Sequence, residues 1–285
     1  MSNQDQCKAG HLYIVATPIG NLGDISQRAI EILQQVDRIL AEDTRHSGHL
    51  LHHLGIQKPM WSCHEHNEEQ RIQQVLTALA VGESLALISD AGTPLINDPG
   101  YRLVTSVTEQ GYPIVPIPGP SALITALSIA GLPTDRFAFE GFLPAKTGAR
   151  VKRLQALADE VRTLVFYESS HRIVATLADL LQVLGRERPI ALMRELTKRY
   201  EQVFRGRIEQ VVEQLGADPN HQKGEFVLVV HGAEESAGAQ QISSGILLQG
   251  LLEELPASKA ASLAAKLTGL PRKQMYEQAL KLSGK

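Results

Sequence analysis

Four stretches concentrate side chains that could do chemistry, and each directly follows an apolar run. They are Glu42-Asp43-Thr44-Arg45, Ser89-Asp90-Ala91-Gly92-Thr93-Pro94, Tyr167-Glu168-Ser169-Ser170-His171-Arg172, and Arg194-Glu195-Leu196-Thr197-Lys198. Charged groups at strand ends lie where ligand sites form rather than where cores pack. Helix capping and surface ion pairs, each worth little, account for the same residues as simply. The second stretch is the most telling. Its loop continues through Leu95-Ile96-Asn97-Asp98-Pro99-Gly100. Two prolines stiffen it, and Gly92 permits a tight turn or a close approach of backbone to a ligand. A rigid loop holding one carboxylate is a recognition element for a small molecule, or else a strand-to-helix connection capped by Asp90.

Two further loops have the same character. Thr17-Pro18-Ile19-Gly20-Asn21-Leu22-Gly23 follows one apolar run, and Pro118-Gly119-Pro120-Ser121-Ala122 follows another. Ser121 opens a helix, where backbone N–H groups are free to hold a ligand, and it serves equally well as a plain N-cap. The dinucleotide fingerprint G-x-G-x-x-G and the phosphate loop G-x-x-x-x-G-K-[ST] are both missing, which disfavours nucleotide triphosphatases and ordinary NAD enzymes. The ligand these loops suit is held by backbone groups and a single acid. Histidines gather at His46, His49, His52 and His53, but no Asp, Glu or Cys stands at metal-ligand spacing beside them. No metal is expected, and a solvated or substrate-facing helix fits better.

The elements that must position these loops follow from the pattern. Leu12–Ala16, Arg38–Ala41, Leu85–Ile88 and Tyr112–Ile117 read as buried strands. A helix carrying Ile30, Leu33 and Val36 on one face, capped by Asp24 or Ser26, is expected first, and others near 44–54, 67–81 and 99–110. Strand, loop and helix alternate to residue 130, which predicts a parallel, doubly wound sheet. Phe137–Phe142 and Gln202–Arg207 instead alternate, as partly exposed strands do, around the strands Thr163–Tyr167 and Ile190–Arg194. With Phe226–Val230 they predict a second, mixed α/β domain. The expected organisation is a disordered start over 1–10, an α/β domain at 11–118, a second at 119–232, a linker at 233–245 and a helical tail at 246–285.

Composition sets the bounds. The 285 residues are 43% hydrophobic, enough for real cores, and the formal charge is only −3. Nucleic-acid contact must therefore come from local patches. Two cysteines, Cys7 and Cys63, form neither a disulfide framework nor a paired metal motif. The opening residues lack a signal-peptide pattern, and no apolar run reaches the ~18 residues of a membrane helix. A cytoplasmic location with no membrane contact is expected. In the tail, Lys259, Lys266, Arg272, Lys273, Lys281 and Lys285 outnumber Glu253, Glu254 and Glu277. Ser258 can cap a helix with Ala261, Ala264, Ala265 and Leu267 inward; Thr268-Gly269-Leu270-Pro271 breaks it before a second helix over 272–282. That is a helix–turn–helix outline, and a helical hairpin docking on a partner subunit gives the same pattern.

Taken together, the loops at 17–22, 41–45, 89–100, 118–122, 166–172 and 194–198 resemble the tetrapyrrole-methylase-like (class III) methyltransferases, in particular the branch acting on small-subunit ribosomal RNA. The likeness runs from about Leu12 to the end. Ser170 departs from it, since the family usually has proline there. The resemblance implies two α/β domains with S-adenosyl-L-methionine between them, a homodimer, and methylation of a cytidine ribose 2′-hydroxyl in the decoding region of 16S rRNA within the 30S subunit. It assigns cofactor contacts to Pro18, Asp90, Gly92, Thr93, Ser121, Ala122, Tyr167 and Leu196.

A sulfonium methyl is already activated, so the enzyme must mainly align the reacting atoms. A ribose hydroxyl is a poor nucleophile and gains from a base or a stabiliser of the developing alkoxide. Glu42, Asp43, Arg45, Glu168, Arg172, Glu195 and Lys198 are the candidates for those roles. Lys146, Arg150, Lys152 and Arg153, with Lys259, Lys266, Arg272 and Lys273 of the tail, are the expected RNA contacts. Methylation of a tetrapyrrole carbon is the nearest alternative, although a macrocycle needs neither basic stretch. A non-catalytic RNA-binding or ribosome-assembly module is the other.

Overall fold

The computed structural model describes residues 10–64, 67–234 and 237–282. Most of the expected disordered start, Cys7, Glu65, His66 and Lys285 lie outside the described residues. Five strands make the first sheet: β1 (Leu12–Val15), β2 (Arg38–Ala41), β3 (Met60–Ser62), β4 (Leu85–Ile88) and β5 (Ile114–Ile117). All are parallel, in the order β3-β2-β4-β1-β5. Every residue of β4 is buried, as an unbroken apolar run in a two-sided sheet requires. The helices α1 (Gln27–Gln35), α2 (Thr44–His53), α3 (Glu68–Ala80) and α4 (Tyr101–Glu109) make the crossovers. Ser26, not Asp24, caps α1, its side chain accepting from the Ala29 N–H at 3.1 Å. Strand β3 is missing from the sequence reading because three half-buried residues, Met-Trp-Ser, carry no periodic signal.

This order places β4, β1 and β5 side by side. The three Gly/Pro loops therefore leave neighbouring strand ends, roughly 4.8 Å apart. That convergence is a property of strand order alone.

The second sheet contains β6 (Phe137–Phe142), β7 (Thr163–Ser169), β8 (Pro189–Arg194), β9 (Gln202–Arg207) and β10 (Glu225–Val230), in the order β6-β7-β10-β8-β9. Only β6 and β7 pair in parallel. The two alternating segments of the sequence, β6 and β9, are its edges. One face packs Leu164, Phe166, Leu192 and Leu228 against α6 (Thr147–Ala156), α7 (Ile173–Leu184) and α8 (Ile208–Gly216). The other face packs Val165, Met193 and Val229 against α5 (Ala122–Ala130) and Ile19 of the β1 loop. The β1 loop thus shares a core with the second sheet.

Residues 1–232 form one compact unit and 233–285 another. The second contains α9 (Ala237–Glu254), α10 (Ala257–Thr268) and α11 (Arg272–Leu282) around Leu248, Ala261, Ala264, Met275 and Ala279. Much of the expected linker at 233–245 is instead the start of α9. Its small residues (Ala, Gly, Ser) lack the large apolar groups by which an amphipathic stripe is read, yet alanine has high intrinsic helix propensity. Helix α10 starts at Ala257 behind Pro256, without the side-chain cap expected of Ser258. Leu267 points outward, 64% exposed, where an inward position was expected. Gly269 ends α10 in the left-handed conformation at φ 71°.

Candidate active site

The three loops are knotted by hydrogen bonds among their own residues. Thr17 and Gly92 exchange N–H···O bonds at 2.9 and 3.1 Å, and the Thr17 hydroxyl donates to Ser89 O at 3.1 Å. Thr93 Oγ1 donates to Pro120 O at 3.1 Å, which ties in the third loop. Gly92 sits at φ +83°, and a Cβ there would lie 3.3 Å from Ile19 Cγ2, so position 92 requires glycine. Asp90 Oδ1 accepts the N–H of Asp43, at the end of β2, at 3.2 Å.

The second sheet supplies the opposite wall. The Tyr167 hydroxyl accepts the Leu123 N–H at the start of α5 at 3.1 Å, and Phe139 and Phe142 stand edge-on to its ring. Between the walls lies a cleft of about 340 Å³. That is within the range that small-molecule sites occupy. Ile19, Ile96, Phe142 and Leu196 make it largely apolar. Asp90, Asp98, Ser121 and Lys198 are polar groups on its walls.

Lys198 Nζ bonds Glu195 Oε1 at 3.0 Å and Glu225 Oε2 at 2.7 Å, and the Glu225 N–H donates back to Glu195 Oε1 at 3.0 Å. Burial alone would raise the Glu195 carboxyl, but the N–H of Glu225 and the Lys198 ammonium together hold it below its ordinary value. Burial likewise works against the Lys198 charge, and the two carboxylates outweigh it, leaving that ammonium above its ordinary value. Burial pushes the Asp98 carboxyl up, against a hydrogen bond from Ser89 and with help from the Asp90 charge. The Tyr167 phenol is raised by burial too, opposed by the Leu123 N–H.

Of the cofactor positions, Asp90, Gly92, Thr93, Ser121, Ala122, Tyr167 and Leu196 line the cleft. Pro18 does not; its half-buried ring lies beside Ile19, which does. The Ser121 side chain makes no capping bond to α5 and borders the cleft.

The catalytic candidates divide. Lys198 reaches the cleft. Glu168 is a correction. Side chains alternate along β7, and with Tyr167 on the cleft face the Glu168 carboxylate turns to the helix-covered face. There it accepts from Thr176 Oγ1 at 2.7 Å and the Ser169 N–H at 2.9 Å, its side chain fully buried. Glu168 is among the cleft-lining residues, but its carboxylate is engaged on that other side of the strand. Arg172 pairs with Glu168 at 3.2 Å and donates to Leu143 O, so it anchors that carboxylate instead of facing the cleft. Asp43 caps α2 by accepting from the N–H groups of Arg45 and His46. Arg45 is exposed and Glu42 half-buried on the same loop, outside the cleft wall. Glu195 is committed to the Lys198–Glu225 cluster.

Arg150 is the second correction. It is 2% exposed, with Nε 2.6 Å from Asp179 Oδ2, so it cannot meet RNA. Lys146 and Lys152 are exposed, as are Lys259, Lys266, Arg272 and Lys273 of the second unit. Arg153 is half-exposed and paired with Glu140. Among the described residues no group of His, Cys, Asp or Glu is placed to hold a metal ion, and the four histidines of α2 are exposed.

Asp98, Asn97, Phe142 and Glu225 belong to the wall but not to the candidates drawn from sequence. Asp98-Pro99-Gly100 was visible as part of the loop. Glu225 carried no signal, because β10 runs antiparallel and starts where its neighbours β7 and β8 end.

Comparison with known proteins agrees with this architecture. The family model for tetrapyrrole (corrin/porphyrin) methylases matches residues 11–212, and that for the RsmI C-terminal HTH domain matches residues 246–283. The chain is 51% identical over 278 residues to ribosomal RNA small subunit methyltransferase I of Escherichia coli O157:H7, covering 96% of each chain. It is 53% identical over 268 residues to the protein of the same name from Xylella fastidiosa strain Temecula1, covering 94% of this chain and 98% of that one. Among solved structures, diphthine synthase shares the fold at TM-score 0.59 and 16% identity, over 78% of this chain and 90% of that one. Uroporphyrin-III C-methyltransferase from Thermus thermophilus, solved with S-adenosyl homocysteine, does so at TM-score 0.52 and 21% identity, over 77% and 97%. The chain belongs to the tetrapyrrole methylase family, in its ribosomal RNA small subunit methyltransferase I branch.

Proposed function

We propose that this chain transfers a methyl group from S-adenosyl-L-methionine to the ribose 2′-hydroxyl of a cytidine in the decoding region of 16S rRNA. The observation that carries the reading is the three-loop knot of β4, β1 and β5, facing an apolar wall across a cleft of ligand size. The residues fit the cofactor. Ile19, Leu196 and Tyr167 offer an apolar seat for a purine, and Asp90 offers charge to a cationic group. The unused Ser121 hydroxyl can bond a polar edge, and Gly92 keeps the backbone open to close approach. Thr93 and Ala122 complete that side. When bound, S-adenosylmethionine supplies an electrophilic methyl carbon on a positively charged sulfur. The chain's own work is to align that carbon with an incoming hydroxyl, exclude water with Phe142 and Ile96, and receive a proton.

RNA is the acceptor class because the relatives with near-full-length similarity are named for small-subunit ribosomal RNA. Lys146, Lys152 and Arg153 on the first unit, and Lys259, Lys266, Arg272 and Lys273 on the second, supply local positive charge that a chain of net −3 otherwise lacks. The cofactor would be held by residues 11–232 and the tail at 246–283 would grip RNA. A homodimer working on 30S particles in the cytoplasm completes the proposal. Transfer of labelled methyl from S-adenosylmethionine tests it, with unmodified 30S particles, naked 16S RNA and uroporphyrinogen III as acceptors. Label in a cytidine 2′-O position supports the reading. Label only in the tetrapyrrole replaces the substrate and leaves the fold standing.

A further inference from the structure

Among the described residues, four acids around the cleft are held by backbone N–H groups, a hydroxyl or an ammonium. Asp90 holds the Asp43 N–H, Glu168 faces the far side of β7, and Glu195 and Glu225 share the Lys198 ammonium. Asp98 remains. Its loop is built with unusual care. Leu95 and Asn97 both lie in the left-handed region, at φ 71° and 67°; asparagine adopts it readily, but a leucine there is held by its surroundings. Asn97 Oδ1 sits 2.6 Å from where a Cβ on Gly141 would be, so the loop abuts the bulge of β6 and position 141 is left to glycine. The residue after that bulge, Phe142, and the loop residue Ile96 are 47% and 39% exposed and form the rim of the cleft. Asp98 follows Asn97 in this loop and lines the same cleft as these two exposed residues, while Gly92, Thr93 and Ser121 belong to the three-loop knot.

We propose that Asp98 is the general base of the methyl transfer, its carboxylate taking the proton of the acceptor hydroxyl as the oxygen attacks the methyl carbon. This rests on the methyl-transfer reading above. The new bond is O–CH3 and the broken one is CH3–S, whose electron pair stays on sulfur; the proton passes from the hydroxyl to Asp98 and then to water. The surroundings suit the role. Burial and the neighbouring Asp90 charge raise the Asp98 carboxyl, which makes it a stronger proton acceptor than a solvated aspartate. Facing it are Asp90 and the Ser89 hydroxyl on its own segment and Tyr167 on β7; Lys198 of the cleft wall is paired with both Glu195 and Glu225. The Tyr167 phenol keeps its proton to higher pH than usual and so does not compete as a base.

The test uses the full chain with S-adenosylmethionine and unmodified 30S particles, measured as a single-turnover rate across pH 4 to 9. Asp98→Asn keeps the shape of the side chain and removes its basicity. The expected result is a rate lower by about 10²–10⁴-fold, the range of general-base effects. Cofactor affinity by calorimetry and melting temperature should stay near wild type, and the acid limb of the pH profile should disappear. Asp98→Glu should recover part of the rate. An Asp98→Asn rate within threefold of wild type, or an unchanged acid limb, overturns the assignment while leaving the function intact. A loss of rate matched by lost cofactor binding makes Asp98 a binding residue and overturns it too. Wild-type protein that labels no RNA defeats the functional reading, and the base assignment with it.

Discussion

The backbone N–H of Asp43 donates to the carboxylate of Asp90 at 3.2 Å, across the boundary between β2 and β4. Asp90 in this way fixes the loop at the end of the adjacent strand while its own loop is fixed by the Thr17–Gly92 bridge. Its carboxylate borders the cleft with its position already set before any ligand arrives. Removing it should loosen two loops at once. Asp90→Ala is expected to weaken S-adenosylmethionine binding at least tenfold, about 1.4 kcal/mol, with a melting temperature only a few degrees lower. Calorimetric titration decides this; unchanged affinity would remove Asp90 from the cofactor site.

Gly20 and Lys198 make the corresponding test between the two sheets. Gly20 is at φ +151°, and a Cβ there would lie 2.4 Å from Lys198 Cγ and 2.8 Å from its Cε, so that the lysine side chain must move. Gly20→Ala should cost roughly 1–3 kcal/mol of stability. It should also displace Lys198 from Glu195 and Glu225. Chemical denaturation measures the first effect. Gly55→Ala, also at positive φ but with nothing within 4 Å, separates backbone strain from the clash.

Arg150 and Lys152 are two residues apart and should behave oppositely. Arg150→Ala strands the buried Asp179 carboxylate, and breaking a buried pair from one side costs about 3–5 kcal/mol. RNA affinity per folded molecule should not change. Lys152→Ala should leave the melting temperature alone, weaken RNA binding and flatten its salt dependence. RNA titrations at two salt concentrations beside a thermal melt separate the two residues.

The Glu195–Lys198–Glu225 cluster sets a pH window for stability. Glu195 is lower in the folded chain than its ordinary 4.5, so its contribution is present above that value and fades as pH falls through the folded one. Lys198 is above its ordinary 10.5, so its contribution is complete below 10.5 and fades as pH rises past it. Partial exposure keeps both contributions modest. Lys198→Met should flatten the melting-temperature profile at both ends. Profiles that stay parallel to wild type would show that the cluster adds nothing.

The burial of Cys63 predicts an inert thiol. Desolvation, helped by the Glu68 charge, pushes it up to about 11. At pH 8 the thiolate that alkylating reagents attack is scarce, and what little forms is buried. Mass mapping after brief iodoacetamide treatment should find Cys63 unmodified in folded protein and modified in denaturant; rapid native labelling would contradict the packing around it.

By itself the sequence determined the local grammar of the chain. Unbroken apolar runs such as Leu85–Ile88 specify strands buried on both faces, alternation in Phe137–Phe142 and Gln202–Arg207 specifies sheet edges, and glycines and prolines mark the loops where a ligand can approach backbone. These are short-range signals, set by periods of two and 3.6 residues. Only the tertiary structure decided what lies across from what. Tyr167 and Glu168 must face opposite ways on any strand, but only packing shows that the tyrosine takes the cleft and the carboxylate meets Thr176. Arg150 looks like its exposed neighbour Lys152 until α7 brings Asp179 against it, and Glu225 joins the site because an antiparallel strand begins where two others end. Each of these outcomes depends on pairing between residues distant in sequence, which no local pattern encodes.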